Sequence, residues 1–168
     1  MQNVDYLQSD DNEVVVTPYT VKYADSVFEL IDSNRQYLDR LGITAGSSYM
    51  TIDNVIDDIA NPVNPNKEKY LLLFRGILAG YISLSPVTYE EGITQIDFWI
   101  EEQFEGRGLA CRSVEMLTAS VLERPTINEV IAFSHPHNVK SQRTLELAGF
   151  QFVSAADNNF RKYSTEQF

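Results

Sequence analysis

The stretch QFEGRGLACRS, Gln103 to Ser113, places Gly106 and Gly108 one residue apart, directly before residues that read as the first turn of a helix. A helix N-terminus leaves its first N–H groups without intrahelical acceptors, and its dipole favours negative charge there. Glycines allow unusual dihedrals and a close approach of backbone to ligand, and Arg107 adds a formal positive charge. The stretch therefore has the chemistry of a phosphate or other anion site. The same spacing also makes an ordinary strand-to-helix turn that binds nothing, and G-x-G alone does not choose between the two.

A second constellation lies in HPHNVKSQRTLELAGF, His135 to Phe150. Asn138 stands where a helix would start, Ser141 follows three residues later, and Gly149 closes the run as a C-cap. Taken singly, Asn138 is an N-cap and Ser141 a solvated first-turn serine. On the strand entering the glycine loop, Gln95, Asp97 and Trp99 alternate to one face. A carboxylate at Asp97 could accept a proton from a bound group, directly or through a water. Asp97 is equally readable as a surface or paired aspartate, and Trp99 as a core residue. Cys111 lies in the first turn of the glycine-loop helix, where a dipole can lower a thiol pKa, but no partner can be assigned and a small buried residue is the simpler reading. Ser134, His135 and His137 are too close along one segment to form a triad. One cysteine and two histidines leave a zinc site short of ligands, so no metal is expected.

Together, FWIEEQFEGRGLA and NVKSQRTLELAGF, in this order and separated by a helix and a strand, resemble the acyl-coenzyme A signatures of the GNAT superfamily of N-acetyltransferases. The resemblance is strongest to the branch containing the RimJ/RimL-like ribosomal-protein acetyltransferases and covers residues 79 to 152. It implies that Gly106, Arg107, Gly108, Leu109 and Ala110 hold the pyrophosphate of acetyl-CoA. It also implies that the strand before the loop splays from the strand after the helix, with the pantetheine arm in the gap beside Trp99 and Ile100. Asn138 would bond that arm, and Ser141 would lie near the sulfur, able to protonate the leaving thiolate. The expected catalytic set is Asp97, Ser141 and Asn138, with Asp97 taking the proton that an ammonium must lose before it attacks the thioester and a backbone N–H near Ile100 the simplest oxyanion donor. Three positions depart from the family pattern. Glu105 opens the loop where many members carry glutamine or arginine, Leu145 stands where a tyrosine acid is usual, and Gln95 with Asp97 replaces a glutamate and glycine, as if the carboxylate had moved by two positions.

These residues need elements to hold them. EVVVTPY reads as a strand, and YADSVFELIDSNRQYLDRL as one or two helices through Val27, Leu30 and Ile31 and then Tyr37, Leu38 and Leu41. TIDNVIDDIA is a further helix, ended by the prolines of NPVNPN. KYLLLF, LAGYISLSPV and ITQIDFWI form a three-strand meander. Ala110, Val114, Leu117 and Val121 give the glycine-loop helix one buried stripe. A strand NEVIAFS, a helix, and a strand pair FQFVSA and FRKYST complete the order β-α-α-β-β-β-α-β-α-β-β. The expected fold is α/β and GNAT-like, a mixed, mostly antiparallel sheet of about seven strands flanked by helices. Residues 1–12 are expected to be a flexible N-terminal segment and 13–168 a single domain.

Composition narrows the partners. The 168 residues carry 13 bases against 24 acids, a net charge of -11 that repels a nucleic-acid backbone. The absence of a membrane-length apolar run or a signal-peptide pattern leads to the expectation of a cytoplasmic protein. Residues 1–60 hold 11 acids and three bases, and in the GNAT arrangement Asp32, Asp39, Asp53, Asp57 and Asp58 fall on the N-terminal helices that would border the acceptor. The expected activity is transfer of acetyl from acetyl-CoA to a primary amine, a protein N-terminus or a small cationic amine, by direct attack in a ternary complex. A homodimer is in keeping with the family. The alternatives are a coenzyme-binding module without turnover and a nucleotide-binding domain using the same helix terminus.

Overall fold

Alternating apolar residues build the strands, and the computed structural model, which describes residues 5–88, 90–156 and 159–166, joins them in one sheet. In chain order the elements begin with β1 (Leu7–Gln8), β2 (Val14–Pro18), a 3₁₀ turn (Val21–Tyr23), α1 (Ala24–Ser33), α2 (Arg35–Arg40), α3 (Ala45–Ser48) and α4 (Ile52–Ala60). They continue with β3 (Glu68–Phe74), β4 (Ile77–Thr88), β5 (Ile93–Ile100), a 3₁₀ turn (Glu102–Phe104), α5 (Leu109–Leu122), β6 (Glu129–Ser134), α6 (Val139–Leu147), β7 (Gln151–Ala155) and β8 (Arg161–Glu166). The strand order is β1-β2-β3-β4-β5-β6-β8-β7. Among the described residues only β5 and β6 pair in parallel, which is why a helix, α5, must carry the chain between them.

The sheet separates two apolar layers. Tyr70, Leu72, Ile82, Leu84 and Ile96 face α5, where Val114, Leu117 and Val121 are wholly buried. Leu71, Tyr81 and Trp99, on the opposite face, pack with Val27, Ile31, Leu38 and Val55 from α1, α2 and α4. Between β3 and β4 the pair Phe74 and Ile77 leaves Arg75 and Gly76 as a two-residue turn, both at positive φ, the geometry that matches strand twist in a hairpin. Gly80 on β4 lies so close to β5 that a Cβ there would collide with the Trp99 carbonyl oxygen.

The sheet has eight strands rather than about seven, the addition being the short edge strand β1. Residues 5–12, expected to be flexible, are tied down: Leu7 and Gln8 pair with Val16 and Val15, and Asp11 bonds Ser9, the Glu13 amide and Arg112. Residues 1–4 lie outside the described residues. The expected one or two helices over residues 23–41 are two, α1 and α2, and the short α3 follows as an addition. The first break falls at Asn34, whose backbone leaves helical dihedrals while its side chain bonds back to the Leu30 carbonyl at 2.9 Å.

Candidate active site

The glycine loop is formed as the residue types require. Gly106 and Gly108 have φ of 73° and 72°, and a side chain at either would project into open space. Gly108 is the residue before α5, and no side chain caps that helix. Among the described residues nothing accepts a hydrogen bond from the amides of residues 106–111. Six successive N–H groups at and before one helix terminus are therefore without acceptors among the described residues, and free amides at a helix N-terminus favour anions. Arg107 is exposed, carries no ion pair among the described residues and rests beside the Phe74 and Phe104 rings at 5.9 and 5.8 Å.

Beside the loop the sheet opens. Strands β5 and β6 are eight and six residues long, yet they pair only at Ile93 with Glu129, Thr94 with Val130 and Gln95 with Ile131. From Ile96 and Ala132 onward each strand keeps only its outer neighbour. The Glu101 amide donates to the Ala79 carbonyl at 2.8 Å and the Trp99 carbonyl faces Gly80, so these peptide groups point to β4. By alternation, the amides of Phe98 and Ile100 point into the gap. Of the two residues expected along the coenzyme arm, Ile100 thus offers its backbone to the gap, whereas Trp99 turns its side chain into the layer beneath α1, α2 and α4.

At the start of α6, the Asn138 Oδ1 accepts from the Ser141 amide at 3.1 Å, the N-cap role. Its Nδ2 donors and the Ser141 hydroxyl have no partner among the described residues. The two signature stretches meet directly: Glu105, preceding the loop glycines, accepts from Lys140 Nζ on α6 and from the Tyr37 hydroxyl on α2. Lys140 first, and Tyr37 after the opposing effect of burial, hold the Glu105 carboxyl below its usual range. The charge of Glu105, a departure from the family pattern, is thus compensated within the protein.

Asp97 lies on the face of β5 shared with Trp99, beyond the last β5–β6 pair, and its Oδ1 accepts from Gln95 Nε2 at 2.9 Å. No hydrogen bond joins it to Asn138 or Ser141 among the described residues. Sequence reasoning placed Asp58 on the acceptor side but missed that Tyr19, Tyr49, Tyr81 and Lys69 gather with it on this face, because they come from separate elements with no shared spacing. Lys69 Nζ contacts both Asp58 oxygens, at 2.6 and 2.7 Å. Burial pushes all three tyrosine hydroxyls up, and the Asp58 carboxylate adds to the effect, so they stay protonated donors at neutral pH. Cys111 is half-buried and its thiol is pushed up by burial and by Glu115, the opposite of an activated nucleophile. The Ser134 hydroxyl lies 3.4 Å from the carbonyls of His135 and Asn138 rather than against an imidazole.

Fold and loop together make a mixed α/β domain whose sheet opens between β5 and β6, with the unpartnered amides of a helix N-terminus at the mouth of the gap. The family profile described as the acetyltransferase (GNAT) domain matches residues 13–151, and the chain belongs to this family. It is 30% identical over 129 residues to YdaF of Bacillus subtilis (strain 168), provisionally named a ribosomal N-acetyltransferase. That match covers 76% of this chain and 57% of YdaF, so the chain spans little more than half the length of this relative. RimL, a ribosomal-protein alpha-N-acetyltransferase solved with coenzyme A, superposes with a TM-score of 0.77 at 14% identity, covering 92% of this chain and 94% of that one. The microcin self-immunity acetyltransferase MccE, solved with acetyl-CoA and AMP, gives 0.75 at 18% identity, covering 92% and 93%. At these identities the two structures establish the fold. Among the described residues no helix is long and apolar enough to cross a membrane.

Proposed function

We propose that the chain is an N-acetyltransferase that moves acetyl from acetyl-CoA to a primary amine, a protein N-terminus or a small cationic amine, with both substrates bound together. The observation that carries this reading is the gap between β5 and β6, opening after three residue pairs beside the unpartnered amides of residues 106–111. An extended arm with a diphosphate at one end fits a half-open ladder ending in a helix N-terminus. Gly106, Arg107, Gly108, Leu109 and Ala110 would hold the pyrophosphate, and the Ile100 backbone and Asn138 Nδ2 the pantetheine, with Trp99 alongside. The ligands named with the RimL and MccE structures support the same assignment.

Acetyl-CoA supplies an acetyl group activated as a thioester. On the face away from α5 the tyrosines are protonated and Asp58 is bound to Lys69, which leaves Asp97 as the carboxylate with one oxygen unengaged. Asp97 accepts the proton of the incoming ammonium, directly or through one water. The Ile100 amide offers a donor to the developing oxyanion; as the C–S bond breaks, the nitrogen gives up its second proton and the Ser141 hydroxyl relays a proton to the departing sulfur.

Two observations favour a second reading, a coenzyme-binding module without turnover: Leu145, where the family carries a tyrosine acid, is wholly buried in the core, and Gln95 cannot accept a proton. A thiol-release assay with acetyl-CoA and a panel of N-terminal peptides, polyamines, aminoglycosides and small amines separates the two. Turnover with any amine supports the enzyme, and coenzyme binding with no turnover across the panel supports the module. Calorimetry showing equal affinity for CoA and ADP would replace both with a nucleotide-binding domain.

A further inference from the structure

Glu105 stands one position before Gly106, and a glutamate flanking a helix N-terminus can fold back to accept from its free N–H groups. It is therefore a built-in competitor for any phosphate that would bind the amides of residues 106–111. In the structure it does not compete, because both of its oxygens are held elsewhere. Oε1 accepts from the Tyr37 hydroxyl at 2.7 Å and Oε2 from Lys140 Nζ. Tyr37 is the middle of three contacts by which α2 lies along the connection after β5: Asn34 Nδ2 reaches Glu101 at 3.1 Å and Arg40 reaches Glu102 at 3.2 Å. The backbone that carries Tyr37 is thus fixed on both sides. Lys140 comes from α6, and its side chain is 79% exposed against 28% for Glu105, so removing it leaves the core intact.

We propose that Tyr37 and Lys140 are positioning residues that restrain Glu105 as a tethered anion kept out of the phosphate site, and that Lys140 serves coenzyme binding through Glu105 rather than by touching a phosphate. This rests on the reading of residues 106–111 as a phosphate site. It assigns a purpose to a glutamate that otherwise opposes the ligand, and to a lysine whose charge is already used.

A double-mutant cycle tests it, with the CoA dissociation constant measured by calorimetry for wild type, Lys140→Ala, Glu105→Gln and the double variant. Lys140→Ala weakens CoA binding about tenfold, because one uncompensated charge now faces the phosphates. Lys140→Arg restores it. Glu105→Gln binds at least as tightly as wild type, and adding Lys140→Ala to it changes the affinity by no more than about twofold. Tyr37→Phe weakens binding in wild type and not in the Glu105→Gln background. A lysine that touches phosphate predicts the same loss in both backgrounds, and that additive result overturns the proposal alone, as does wild-type affinity in Lys140→Ala. A wild-type protein that binds no CoA overturns the phosphate site and this proposal with it.

Discussion

Gly108 precedes α5 at a φ of 72° with open space where a side chain would stand, so a substitution there projects toward the proposed phosphate position and not into the protein. Gly108→Glu costs roughly 1–2 kcal/mol of backbone strain, which a domain of this size tolerates, and it puts a carboxylate among the free amides. CoA binding measured by calorimetry is abolished, and unchanged affinity in the folded variant would remove the phosphate site. Asp97→Asn keeps the shape beside Gln95 and removes the proton acceptor. Turnover at neutral pH falls about 10²- to 10⁴-fold with CoA affinity retained, and a wild-type rate in steady-state kinetics would assign the base elsewhere. The glycines and Asn138 were legible in the sequence because their constraints are local, a positive φ and a helix start. The partners of Glu105 were not, since Tyr37 and Lys140 lie 68 and 35 residues away. At Asn138 the N-cap reading does not exclude the other: its oxygen caps α6, while its nitrogen has no partner among the described residues.

At the scale of elements, the edge strand β1 depends on Asp11, which gathers the chain from Ser9 to Glu13 and bonds Arg112 on α5. Its hydrogen bonds, first from Ser9, then from the Glu13 amide, and with Arg112 adding to them, lower its pKa from 3.8 to about 2. A depressed carboxyl contributes its stabilisation above its unfolded pKa and loses it as pH falls through the folded value. Protection of the ladder between Leu7 and Val16, measured by hydrogen exchange, is therefore lost from about pH 4 down to about pH 2, and Asp11→Asn shows the loss already at neutral pH. Protection unaffected by either change would leave Asp11 no part in holding the strand. Strand β1 itself was not legible, because two residues are too short for a period of two to be seen. The meander and the α5 stripe were, each having enough residues to repeat. The break at Asn34 escaped because apolar spacing continues on both sides of it. The opening between β5 and β6 came from the family resemblance, since a strand's own pattern does not say where its neighbour departs.

For the whole molecule, charge is the long-range property that sequence does disclose. Of the acids expected to face the acceptor, Asp58 is neutralised by Lys69 and Asp32 is paired with Arg35, while Asp39, Asp53 and Asp57 carry no ion pair among the described residues. A negative field on that side raises the local concentration of a cationic amine. The value of kcat/KM for such an amine, with acetyl-CoA saturating, falls as salt rises through screening lengths of about 8 Å near physiological ionic strength. An equal salt response from a neutral-tailed amine, or a preference for anionic acceptors, would end the cationic assignment. Over the same molecule, a sheet short of three or more ladder pairs is a folded chain whose own bonding is incomplete. Whatever bridges β5 and β6 then works as a removable strut: by mass action, coenzyme at a hundred times its dissociation constant adds about 2.7 kcal/mol to folding, or several degrees in Tm. If the coenzyme is that strut, resistance to heat and protease rises with its concentration, and a thermal-shift series without such a rise would remove it from the gap.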